Sequence, residues 1–234
     1  MDTPYALVSF EETASTQDDA RRRFEGTPVL VVARRQTAGR GRGGSSWETA
    51  PRAVAVSLAV ATDWPPEAWG RIPLIAGLSA LECLPDGPKL KWPNDVVAGG
   101  RKLAGILVEG FENFVVAGLG INLWWNDPPV DYGAVFESDP GETAHLEIAR
   151  QWGAALLRRL STSPDAWDRD EYVRACVTLG RTIRWQPDGS GVAEGIAGDG
   201  ALLVRTADGV ERITGGEVFE IRNLEADSEP IDEQ

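Results

Sequence analysis

Lysine is nearly missing from this chain, whose 234 residues hold three lysines against twenty arginines, all three lying between Lys89 and Lys102. Histidine is scarcer still, with His145 alone in the helix-like stretch GETAHLEIARQW, where it reads as a helix-surface residue; that leaves no histidine for a Ser-His-Asp triad, and no HExxH zinc site is present. The two cysteines, Cys83 and Cys176, lie 93 residues apart without a CxxC spacing, the pattern of ordinary reduced thiols. No apolar run approaches the ~20 residues that a membrane span needs, so no membrane partner is expected. The first residues, MDTPYALVSFEETAS, have neither a basic start nor an apolar signal core, which points to the cytoplasm. Basic charge is also short: at a net charge of −13 the chain lacks the clustered cations that phosphate backbones require, and no nucleic-acid partner is expected. Any chemistry must therefore rest on a few placed charges.

What is present begins with length and pattern. A chain of 234 residues, 42% apolar, suits one large domain and a small one. Residues 16–24 follow a cap at Ser15 or Thr16 and read as a short helix, and the valine-rich run 28–35 reads as a buried strand. A glycine-rich loop without hydrophobic period follows, then an alternating strand over 52–61. Helical spacing covers 67–84, with Pro73 expected to kink the helix or delay its start. Strands are expected from 89–92, 102–109 and 114–123, and helices over 142–160 and 164–179. From Gly180 the texture changes to five short glycine-punctuated strands, the pattern of a small barrel. The expected domains are thus a mixed α/β unit over 1–179 and a barrel over 180–223, ahead of a disordered acidic tail over 224–234.

Two segments carry candidate chemistry. In QTAGRGRGGSSW, Gly39, Gly41 and Gly44 satisfy GxGxxG, but no helix opens after them, which argues against a dinucleotide fold, and the GK[ST] ending of a P-loop is absent. The loop reads instead as one that closes over an anion, with glycine-exposed N–H groups and charge from Arg40 or Arg42. In the lysine stretch, Pro93 forces an extended or turn conformation at Trp92, and Asn94 and Asp95 stand at the turn. Regular pleating over 102–109 would send Lys102 and Ala104 to one face, and Leu103 and Gly105 to the other. Gly105, and Gly118 with Gly120 on a neighbouring strand, suggest a flat wall against which a ligand lies.

The motifs GRGRGGSSW, KWPND, KLAGILVE and GLGIN, in this order and ahead of GGEVFEIR, resemble biotin protein ligase over nearly the whole chain. The resemblance implies a mixed sheet flanked by helices, like class II aminoacyl-tRNA synthetases, and an SH3-like C-terminal barrel. It implies that Ser15, Thr16 and Gln17 contact biotin, Gln17 standing where asparagine is usual. Gln36, Arg40, Gly41 and Arg42 would belong to the loop over biotin and its adenylate, with Gly105 and Gly118 on the wall. Lys102 would meet the biotin carboxylate. Trp47, Lys91, Asn94, Asn122 and Arg40 would serve ATP, and Asp95 would hold magnesium. Arg42, Lys102 and Lys91 would be the catalytic charges. Family members often carry more arginines where this chain has Gly43, Gly44 and Ser45. No helix-turn-helix precedes the motifs, as in the monofunctional form.

The activity so implied consumes biotin and ATP with Mg2+, forms biotinyl-5'-AMP, and transfers biotin to a lysine of the biotin carboxyl carrier domain of an acyl-CoA carboxylase. Edge strands could pair two copies into a homodimer. Two alternatives stand beside it: a lipoate or octanoate ligase or transferase, and a non-catalytic biotin-sensing regulator.

Overall fold

The computed structural model of the chain describes residues 4–44, 47, 49–216 and the backbone of 218–220. Its first layer is a seven-stranded mixed sheet in the order β1-β2-β3-β7-β6-β5-β4. These strands are β1 (Ala6–Thr13), β2 (Val29–Gln36), β3 (Arg52–Val60), β4 (Lys89–Lys91), β5 (Asp95–Ala98), β6 (Arg101–Gly110) and β7 (Val115–Trp124). Only β1 and β2 run parallel, joined by the crossover helix α1 (Thr16–Arg23).

The expected strands are found, with three differences. β1 has no counterpart in the sequence reading. β5 forms a hairpin with β4 that closes on the pair Lys91 and Asp95, so Asp95 begins a strand and only Trp92, Pro93 and Asn94 make the turn. β3 reads as alternating, yet every residue from Ala53 to Val60 is buried. Both of its faces are covered: α1 packs on one and α3 (Ala144–Leu160) on the other. Each large side chain buried there contributes roughly 1.5–3 kcal/mol, which places β3 at the centre of the core.

Of the two effects expected of Pro73, the structure shows the delayed start. A 3-10 turn over Pro66–Arg71 precedes α2 (Ile72–Leu81), with the proline in the first turn where its missing N–H costs nothing. The helix expected over 164–179 is shorter. A 3-10 turn (Pro164–Ala166) leads to α4 (Arg169–Ala175), and at Cys176 the chain becomes extended because Val177 donates its N–H to the Leu90 carbonyl beside β4. An edge strand has captured the end of the helix.

The second layer is a five-stranded antiparallel sheet in the order β11-β10-β9-β8-β12. It comprises β8 (Thr182–Trp185), β9 (Gly189–Ile196), β10 (Leu202–Thr206), β11 (Gly209–Ile213) and β12 (Val218–Glu220). Among the described residues β11 and β12 do not pair, so what is observed of the expected small barrel is a five-stranded antiparallel sheet, without a closed barrel. The expected tail, 224–234, lies outside the described residues. Trp92 and Trp167 join the layers by donating their indole N–H groups to the carbonyls of Gly200 (3.0 Å) and Gly198 (2.7 Å). No helix among the described residues is long and apolar enough to cross a membrane.

Candidate active site

One face of β6 and β7, on the side of α1, is floored by glycine. Gly105 and Gly120 are cross-strand partners, and the indole of Trp47 lies directly over both. A Cβ on Gly120 would stand 2.7 Å from that ring, and one on Gly105 would stand 2.9 Å from it. Gly118 lies two residues along β7 from Gly120, on the same face, where a Cβ would come within 2.6 Å of the Gln17 side-chain oxygen. The flat wall expected from the glycines is present.

Lys102 reaches this wall by a route that regular pleating does not allow. Val96 of β5 pairs with Ala104 while Val97 pairs with Lys102, so Leu103 is an extra residue in β6. Such a bulge reverses the facing of the residues before it. Lys102 therefore shares a face with Gly105, to which its Cε would stand 3.3 Å from an added Cβ. The expected grouping of Lys102 with Ala104, and of Leu103 with Gly105, is corrected accordingly. The Lys102 ammonium lies 2.6 Å from Asp95 Oδ1 and 5.6 Å from the centroid of the Trp47 ring. A lysine, a carboxylate and an indole thus converge from β6, β5 and the glycine loop.

The start of α1 closes one end. Ser15, Thr16 and Gln17 are all buried. Gln36 Oε1 accepts from both the backbone N–H (2.8 Å) and the hydroxyl (3.0 Å) of Thr16, whose oxygen also lies 2.8 Å from Ser57 Oγ. Gln17 donates through Nε2 to Glu109 at 3.0 Å, while its Oε1 is buried without a partner among the described residues. The Trp47 indole N–H is likewise buried and, among the described residues, unpartnered. Both are polar groups that a ligand in the cavity could satisfy.

The glycine loop crosses the opening. Arg40 makes two hydrogen bonds to Asp18, at 2.9 and 2.8 Å. Arg42 donates to Asn94 Oδ1 at 3.2 Å and to the Gly216 carbonyl at 3.4 Å, and Asn94 in turn donates to the Ile106 carbonyl of β6. Gly43 and Gly44 both adopt left-handed backbone, at φ of 63° and 80°. That conformation strains a residue with a Cβ, which is a local reason for glycine at both positions. Ser45 lies outside the described residues.

Together these residues enclose a cavity of about 370 Å3, within the range of small-molecule sites. Every residue expected at the site lines it except Asn122. Asn122 is fully buried, and its oxygen accepts from the Ala50 N–H at 3.3 Å, tying down the exit of the loop. Sequence reasoning missed Ser57 and Tyr132, which also line the cavity, and Asp18 and Glu109, which hold those that do. Ser57 is a polar residue inside a valine and alanine strand, a signal that was open to reading. The contact of Asp18 with Arg40 has none.

A mixed sheet with a glycine floor, a lysine at its centre and two arginines on the loop across it defines an α/β protein with a small-molecule cavity. The chain belongs to the Biotin/lipoate A/B protein ligase family, whose sequence profile matches residues 9–126, and the profile of the biotin protein ligase C-terminal domain matches residues 178–219. A biotin--[acetyl-CoA-carboxylase] ligase of Mycobacterium tuberculosis is 34% identical over 213 residues, 83% of this chain and 79% of that protein. One from Paracoccus denitrificans is 30% identical, over 81% of this chain and 89% of its own length. Among solved structures, biotin protein ligase from Aquifex aeolicus in complex with biotin and ATP matches with a TM-score of 0.76 at 25% identity, over 93% of this chain and 99% of that one.

Proposed function

We propose that this protein joins biotin to ATP, forming biotinyl-5'-AMP, and passes the biotinyl group to a lysine of a carboxylase's biotin carboxyl carrier domain. The observation that carries the reading is Lys102, turned by the β6 bulge onto a glycine floor beside Trp47 and Asp95. The matching ligases of Mycobacterium and Paracoccus, and the biotin and ATP held by the Aquifex relative, support it.

The chemistry follows from charge. A biotin carboxylate oxygen attacks the α-phosphorus of ATP, a P–O bond to pyrophosphate breaks, and a mixed anhydride forms. Two anions must approach, so Lys102 would hold the carboxylate while Arg42 and Lys91 offset phosphate charge, which amounts to positioning plus electrostatic stabilisation. The lysine amine of the carrier then attacks the anhydride carbonyl, losing its proton, and AMP leaves. Ser15, Thr16, Gln17 and Gln36 would hold the ring end of biotin, and Trp47 and Asn94 the nucleotide.

Magnesium would be held by Asp95. Among the described residues no group of three His, Cys, Asp or Glu is placed to hold a metal. A single carboxylate suffices where substrate phosphates and water supply the remaining ligands, as is usual for this ion, so the residues fit. Bound with ATP, the ion would neutralise phosphate charge. We take residues 1–179 as the catalytic unit and 180–223 as the unit beside it.

The test is biotin-dependent exchange of labelled pyrophosphate into ATP, followed by transfer of labelled biotin to a carrier domain, with lipoate as the competing acid. Exchange and transfer with biotin are expected. Exchange with lipoate alone, or with neither acid, would overturn the reading.

A further inference from the structure

Asp18 stands outside the cavity, yet both of its carboxylate oxygens are taken by one arginine that lines it. Arg40 Nη1 and Nη2 reach the two oxygens at 2.9 and 2.8 Å, across 22 residues of chain. This parallel two-point pairing restrains orientation as well as distance. The carboxyl is held below its usual range first by that hydrogen bond, and the Arg40 guanidinium is pushed up by the same contact. Glu109, at the far end of β6, lies 3.7 Å from Arg40 Nη2 and also accepts from Gln17. Loop, helix start and strand end therefore meet in one charged knot at one end of the cavity.

An acid in the first turn of a helix is ordinarily explained by the helix dipole. Asp19 already meets that description, since it accepts from Thr13 and from Arg22 close by in sequence. Asp18 turns away from its own helix and toward the loop. Arg40 and Arg42 are the only cations between Gln36 and Pro51, and the left-handed glycines that follow them add no charge. Arg42 is tethered to Asn94 and to the Gly216 carbonyl, so Arg40 is the anchor for the entry half of the loop.

We propose that Asp18 is a positioning residue: it holds Arg40 so that the entry half of the glycine loop stays over the bound acyl-adenylate, and retention of that intermediate depends on the pair. The proposal rests on the ligase reading above. Asp18 has no part in bond making, so it governs how long the anhydride stays rather than how fast it forms.

The experiment follows the release of labelled biotinyl-5'-AMP from the full-length protein, with the rate of pyrophosphate formation recorded alongside. Pyrophosphate formation by the unaltered protein keeps the two proposals distinguishable, because its absence would sink the ligase reading alone. Asp18→Asn should release the adenylate roughly fivefold faster, the factor expected for loss of one partly exposed, well-aligned ion pair, with adenylate formation little changed. Asp18→Glu restores the charge and should bring release back toward the original rate. For the unaltered protein, raising salt from about 0.1 M to about 1 M, which shortens screening from ~10 to ~3 Å, should speed release. The same change should have less effect on Asp18→Asn. Unchanged release in Asp18→Asn, equal acceleration in Asp18→Asn and Asp18→Glu, or salt-independent release from the unaltered protein would overturn the role.

Discussion

Lys102 and Arg42 reach the cavity from different elements, and each is the kind of fixed charge whose loss is felt where charge develops. Lys102→Ala and Arg42→Ala should each slow pyrophosphate exchange on the order of 10²-fold, as for loss of a preorganised donor. Near-normal exchange in both variants would remove them from the chemistry. Gly120 makes a second test at the same scale. Its Cβ would stand 2.7 Å from the Trp47 ring, so Gly120→Ala must displace the indole from the floor. A shift of about 1 Å in a positioning group can lower rates on the order of 10²-fold, and steady-state kinetics with biotin and ATP should show such a loss. The thermal midpoint should move little, because the indole lies over a cavity and not within the core. At this scale the sequence was informative: charges, glycines and order of motifs are properties of single residues. What it lacked was the partner of each group, such as Asp18 for Arg40 or Ser57 for Thr16, since these contacts join positions distant in the chain.

The elements were legible where their patterns were long, and less so where neighbours overrode them. The run 164–179 has helical character throughout, but after Ala175 pairing beside β4 offered its backbone a different set of hydrogen bonds. The bulge at Leu103 is likewise invisible, because alternation in a sequence assumes a register that only the partner strand sets. Between helices, Arg159 of α3 is buried and binds Glu82 at the end of α2 together with Asp168 and Glu171 at the start of α4. Burial pushes Glu82 up, but hydrogen bonds from Arg159 and Arg158 outweigh it and leave the carboxyl below its ordinary 4.5. A carboxyl depressed in the folded state stabilises above its unfolded pKa, and that contribution is lost as pH falls through the folded value. Arg159→Met should destabilise by about 1–3 kcal/mol at neutral pH, a range reduced because the three acids are partly exposed. Urea titrations between neutral pH and about pH 3 should show the gap between variant and parent closing on the acid side. A constant gap would show that the arginine contributes packing and not charge.

Across the whole molecule, the two sheets share one continuous apolar core that runs from Leu30 and Leu58 through Trp92 to Ile183 and Leu202. Trp92 is its junction: it is 2% exposed, donates its backbone N–H to the Thr178 hydroxyl oxygen, and donates its indole N–H to the Gly200 carbonyl. The motif that looks catalytic in sequence therefore divides its work, with Lys91, Asn94 and Asp95 lining the cavity and the Trp92 ring binding the layers together. Trp92→Ala should lower stability by about 3–5 kcal/mol, and spectroscopic probes placed in either sheet should shift together in one unfolding transition. Separate transitions would mean that the layers unfold independently.

By itself the sequence determined the supply of chemical groups and their order: three lysines in one stretch, a glycine loop with two arginines, and glycines spaced two apart on one strand. These are local facts, and they were enough to indicate the family and a set of site residues of which all but Asn122 line the cavity. Only the tertiary structure decided which face Lys102 takes, which carboxylates meet which cations, that Asn122 lies behind the wall, and the order in which the strands of the second sheet pair. Each of those outcomes depends on pairing between segments far apart in the chain, where one extra residue or one neighbouring carbonyl outweighs the local pattern.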